Sequence, residues 1–129
     1  MSMKELNWKT WLVHGDQYLN AASPKKTTNV FNTEILYNML SMSLESYIMA
    51  ILDFHKTLPD NHTYTDLMCA LDRVMTIDTG LKEKILKYEN IQSICSIDKY
   101  ERRAPNQEEI NELKGAIVQM GEIAHKTCA

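Results

Sequence analysis

The chain has 129 residues and a net charge of −3 from 14 basic and 17 acidic side chains. That length holds one ordinary domain, which buries roughly two thirds of the surface its unfolded chain exposes and needs no disulfide or metal to stay folded. The 44% hydrophobic and 24% charged residues describe a globular chain, and 4 glycines with 3 prolines are too few for the tight turns of an all-β fold. Without a basic excess, a non-specific nucleic-acid coat is excluded, because such coats draw their affinity from phosphate neutralisation.

Cys69, Cys95 and Cys128 are odd in number and form no CxxC, so they make neither a disulfide framework nor a zinc cluster. Reduced thiols in a cytoplasmic protein are expected. The start, MSMKELNWKT, lacks the apolar core of a signal peptide. The most apolar stretch, Ile35 to Phe54, is interrupted by Asn38, Glu45, Asp53 and several serines, so no membrane span is expected.

The first helix is expected over Met3–Ala22, where Trp8, Trp11, Leu12, Gly15, Leu19 and Ala22 recur at helical spacing. SPKKTT, residues 23–28, breaks it, because Pro24 disfavours helix at Ser23. The second helix is expected over Asn29–Thr57 with two apolar faces. One carries Ile35, Met39, Met42, Met49 and Leu52, and the other Leu36, Leu40, Leu44, Tyr47, Ile48 and Ile51. Such a helix is the centre of a bundle or also a subunit interface. Leu58-Pro59-Asp60-Asn61 is expected to end it.

A third helix is expected over Tyr64–Ile77, with Thr63 as its cap, Asp66 near its positive end, and Leu67, Ala70, Leu71 and Val74 facing inward. Asp78 or Thr79 then caps a fourth helix, about Gly80–Cys95, that turns Leu81, Ile85, Tyr88 and Ile91 to the core. Ser96–Ala104 is mixed and charged and is expected as a loop. Asn106 and Glu109 have the spacing of a capping box for the last helix, whose apolar stripe is Ile110, Leu113, Ile117, Met120 and Ala124. The fold class is therefore all-α, a single domain built as an antiparallel up-and-down bundle of about five helices.

Chemistry is sparse. His14, His55, His62 and His125 form no HxxxH or HExxH pair and read as surface or helix-end histidines. The 8 methionines read as core filler, with the Met-rich second helix also an adaptable contact surface. No glycine-rich phosphate loop and no GxSxG elbow exists; Gly80, Gly115 and Gly121 are isolated. Glu45 stands among apolar neighbours, so it either finds a partner or lies with Asn38 and Ser41 on a wet stripe.

Four segments in order resemble the HEPN family (higher eukaryote and prokaryote nucleotide-binding). Trp11-Leu12, Gly15, Leu19 and Ala22 are similar to the family's first-helix pattern, with Gly15 in place of alanine and Tyr18 in place of aspartate. Glu45 to Leu52 resembles its second-helix segment, with Ser46 and Met49 where lysines stand. Asp66-Leu67 resembles the start of its third helix, with Thr65 for histidine. Asp98, Tyr100, Arg103 and Pro105 resemble the segment before its last helix, with Ala104 for tyrosine.

The resemblance implies a helical bundle, and the apolar surplus of the second helix leads us to expect a homodimer. The resemblance also implies binding of a nucleotide or of a partner protein such as a small nucleotidyltransferase, in a toxin–antitoxin-like module. The family's ribonucleases carry an arginine followed, after four to six residues, by a histidine. Arg73, Arg102 and Arg103 have no histidine at that spacing, so no catalytic residue and no cofactor is implied. A degenerate ribonuclease and a ligand-free interaction domain are the alternatives. The binding residues implied are Asp98, Tyr100, Arg102, Arg103, Glu45 and Asp66. Arg103 is expected either to offer its fork to a phosphate beside Tyr100 or to pair with Glu45 or Asp66.

Overall fold

A computed structural model describes residues 7–22, 33–57, 59, 64–97 and 106–128. It is all-α: α1 (Trp8–Ala21), α2 (Thr33–Phe54), α3 (Tyr64–Val74), α4 (Thr79–Ile97) and α5 (Gln107–Thr127). No strand occurs among the described residues.

Helix α1 starts at Trp8, the first residue of its apolar pattern and later than the expected Met3, because Asn7 caps it. Asn7 has extended backbone, and its side-chain oxygen accepts from the amides of Lys9 at 2.9 Å and Thr10 at 3.3 Å. Helix α3 ends at Val74, short of Ile77, which is nevertheless buried. Asp78 caps α4, its carboxylate accepting from the Leu81 amide at 3.0 Å. Helix α4 runs on to Ile97, so Ser96 and Ile97 are helical and not loop. Helix α5 opens on the expected capping box. The Glu109 amide donates to Asn106 Oδ1 at 2.8 Å, and the Asn106 amide donates to Glu109 Oε1 at 2.9 Å. The expected Thr63 cap and the inward Ile91 side chain lie outside the described residues and side chains.

Helix α2 is the centre. It packs most extensively on α1, then on α5, then on α3. Trp8 meets Phe54, while Gly15 further along α1 meets Tyr47 further back in α2, so these two helices run antiparallel. Gly121 lies against Tyr47 and Cys128 against Ala50, so α5 follows α2 in the same sense. From Leu44 to Leu52 every residue except Glu45 is buried. All five residues of the expected α5 stripe are buried as well. By length and composition Ile35–Phe54 is apolar enough to cross a membrane, and 61% of it is buried within the bundle; a central core helix passes the same test.

Helix α2 stops at Phe54, before the Leu58-Pro59 signal, through a closure that contains no glycine. The Thr57 amide donates to the Leu52 carbonyl at 2.8 Å and the Lys56 amide to the Asp53 carbonyl at 3.0 Å, which is a Schellman motif. Lys56 takes the left-handed position at φ 58. A side chain there costs roughly 1–2 kcal/mol, and glycine does not bear that cost. Lys56→Gly is therefore expected to raise stability by about 0.5–1 kcal/mol in urea denaturation, after the extra unfolded-state entropy of glycine is subtracted. A loss of stability would show that the lysine side chain holds that turn.

Candidate functional site

Two of the six residues implied as binding groups lie in the described structure. Glu45 is half-buried on α2, close enough to Tyr64 that its charge helps to push that phenol's pKa up. Burial and the neighbouring Tyr37 contribute more to that rise, while the Ser41 hydroxyl bonded to Tyr64 acts against it. Asp66 is half-buried in the first turn of α3. It follows Tyr64 by two positions, about 200° around the helix, so the two side chains leave α3 on different faces. Asp98, Tyr100, Arg102 and Arg103 lie outside the described residues.

The described polar chemistry gathers elsewhere, around Tyr47. Its ring is held between two helical glycines. A Cβ built on Gly15 would stand 2.6 Å from Tyr47 Cδ1, and one on Gly121 would stand 2.8 Å from Tyr47 Cζ. The bare backbones of α1 and α5 thus form the two walls of the ring's slot. Its hydroxyl donates to Asp16 Oδ1 at 2.5 Å. His125 Nε2 lies 3.0 Å and 3.1 Å from the two oxygens of the same carboxylate. The imidazole also meets the Tyr47 ring near edge-on, with centroids 6.1 Å apart. One turn back on α2, Ser43 donates to the Gly15 carbonyl at 2.8 Å.

The electrostatics follow from this geometry. Burial, then the hydrogen bond to Asp16, then the charge of Asp16 push the Tyr47 pKa far up, so its hydroxyl remains a protonated donor. An ionised carboxylate only accepts, so the imidazole contact requires the proton on Nε2 and leaves Nδ1 for other partners. Asp16 therefore joins α1, α2 and α5 at one point. Its pairing with His125 is exposed at 43% and 51%, and such a pair is worth at most about 1 kcal/mol. The closely packed ring contributes most of the hold.

A second junction ties α4 to α5 and α2. Tyr88 donates to Glu112, Lys87 Nζ lies 3.1 Å from the same carboxylate, and Tyr37 donates to the Tyr88 carbonyl at 2.8 Å. Among the described residues, no buried side-chain nitrogen or oxygen lacks a hydrogen-bond partner, and no group of three His, Cys, Asp or Glu side chains is placed to hold a metal.

Neither Asp16 nor His125 stood out as a site residue in the sequence, where they are 109 positions apart. The available signal was Gly15 and Gly121, each isolated inside a helical pattern, which marks a close approach. No protein-family model, curated protein or solved structure matches the chain.

Two outcomes follow. Alanine is the better helix former by about 1 kcal/mol, so Gly15→Ala would stabilise α1 if its surroundings were open. Against the trapped ring it is expected to destabilise by about 1–3 kcal/mol in chemical denaturation, and a net gain would show the ring free to move. Separately, the Tyr88 hydroxyl, then Lys87, hold the Glu112 carboxyl below its ordinary value of 4.5. A depressed carboxylate adds stability above the unfolded-state pKa, and that stability disappears as pH falls through the folded-state pKa. Glu112→Gln is expected to flatten the stability-versus-pH curve below about pH 4.5, where its contribution is being lost.

Proposed function

We propose that the chain is a non-catalytic, HEPN-like helical bundle that works by binding. Its partner is a second copy of itself or another protein, such as a small nucleotidyltransferase in a toxin–antitoxin-like module, and a nucleotide is its small ligand. The observation that carries the protein-binding part is an outward apolar row at the start of α2. Ile35 is 42% exposed, Met42 is 45% exposed, and the half-buried Met39 stands between them. Positions i, i+4 and i+7 share one helix face. Methionine side chains adapt to a partner's contour, which suits them to a contact surface.

The chemistry around Tyr47 also supports binding over catalysis. The Tyr47 hydroxyl is committed to Asp16, and the Asp16 carboxylate accepts from both Tyr47 and His125. These groups join helices, and the tyrosine is held as a protonated donor rather than a nucleophile.

Sedimentation velocity of the purified chain, alone and as Met42→Lys, tests the reading. The wild type is expected to self-associate at micromolar concentration. The variant should weaken that association by about tenfold or more, while its unfolding free energy stays within about 0.5 kcal/mol of wild type. A wild-type protein that remains monomeric at high micromolar concentration removes the homodimer from the proposal.

A further inference from the structure

Among the described aromatic residues, Tyr37, Tyr47, Tyr64 and Tyr88 are buried, Tyr18 and both tryptophans are half-buried, and Phe54 is exposed. Trp8 and Trp11 are half-buried on α1, and Phe54 at the end of α2 is 37% exposed. Phe54 meets Trp8 edge-to-face at 5.5 Å, and the exposed His55 meets Phe54 at 5.6 Å. An indole, a phenyl and an imidazole ring thus meet at the end of the bundle where α1 begins and α2 stops, with Phe54 and His55 exposed.

Two described lysines stand at that end. Lys9 Nζ stands 5.5 Å from the centroid of Trp8, over the ring. Lys56 is exposed two residues after Phe54, at the left-handed position where glycine fits best. The first turn of α1 has no acidic residue. The carboxylate in the last turn of α2, Asp53, acts on Cys128 of α5. In a chain of net charge −3, aromatic faces and lysines meet here.

We infer that Trp8, Phe54 and His55, with Lys9 and Lys56, form a binding site for a nucleobase-phosphate unit, either a free nucleotide or one residue of a single strand. Base stacking on an aromatic side chain is sequence-tolerant, and a flanking ammonium supplies the phosphate contact. Lys9 already occupies a ring face as a cation and needs only to swing aside to meet a phosphate. This rests on the nucleotide part of the proposed binding function, but it names a face separate from the Ile35–Met39–Met42 row.

The chain's own tryptophans report on the site, since Trp8 belongs to it and Trp11 lies one turn along α1. Tryptophan emission of the full chain, excited beyond nucleotide absorption, is titrated with AMP, adenosine, inorganic phosphate and a single-stranded oligouridine. Saturable quenching by AMP or the oligonucleotide is expected, with adenosine weaker and phosphate without effect. Quenching by AMP assigns a free-nucleotide site, and quenching by the oligonucleotide alone assigns a single-strand site. Phe54→Ala is expected to weaken binding roughly 5- to 150-fold. Lys56→Gly, which keeps the turn, should weaken AMP more than adenosine. Circular dichroism of each variant checks that the fold is intact.

The proposal is overturned if millimolar AMP and the oligonucleotide both leave the emission unchanged, or if binding survives Phe54→Ala and Lys56→Gly. It is also overturned if the emission changes only with protein concentration, which would make the patch a contact between copies. Met42→Lys separates the two readings, because it should weaken self-association and leave AMP quenching intact.

Discussion

The Tyr47 ring between Gly15 and Gly121 is the contact on which the arrangement of the three long-packed helices depends. A phenol can be sandwiched between two helix backbones only where both lack a side chain, and the absence of Cβ on α1 and α5 meets that condition. The slot fixes the relative height of α1, α2 and α5, and other contacts follow from it. Asp16 comes beside Gly15 and reaches the tyrosine hydroxyl; His125, one turn beyond Gly121, reaches the same carboxylate. Ser43, one turn before Tyr47, falls opposite the Gly15 carbonyl. Close packing supplies most of the energy, since the exposed ion pair adds little and the hydroxyl bond mainly prevents an unpaired buried oxygen.

The helices were legible in the sequence because each carries a local signal. The α5 capping box and its stripe of Ile110, Leu113, Ile117, Met120 and Ala124 depend on spacings of three and four residues, and both are present as read. Asp78 as the α4 cap is local in the same way. Helix ends without such a marker were misplaced. Lys56 closes α2 in the conformation that glycine usually provides, so nothing in the letters marks the stop three residues before Thr57. The Tyr47 junction was not legible for a different reason. Its parts come from three helices, and Asp16 and His125 are joined only after the chain has folded around Tyr47. A single glycine in a helix signals closeness to something, and the sequence does not say to what.

Glu45 shows the same boundary between local and non-local information. Its position in an apolar run, with Asn38 and Ser41 earlier on the helix, left burial and exposure equally open. In the fold it is half-buried, facing the start of α3, where its charge and the Ser41 hydroxyl both act on Tyr64. That placement depends on where α3 lands, and no spacing within α2 encodes it. The α2–α3 contact is thus partly polar, while the α1–α2–α5 contact is closed by a ring.

The apolar surplus of α2 is resolved unevenly along its length, and this unevenness explains where α2 itself meets water. A helix that is hydrophobic on most sides needs neighbours on most sides. From Leu44 onward α2 has them, and only Glu45, Asp53 and Phe54 reach water. Before Leu44 the cover is incomplete, and Ile35 and Met42 emerge on one face. The same accounting applies at the opposite end, where Phe54 extends past the cover and meets Trp8 at the rim. The apolar exposures of α2 therefore lie at its two ends, while its middle is enclosed around Tyr47. Contact surfaces at those ends can differ in chemistry without disturbing the core. Methionine and isoleucine at one end suit a shape-adapting protein contact, while indole, phenyl and lysine at the other suit a flat base that carries an anionic phosphate.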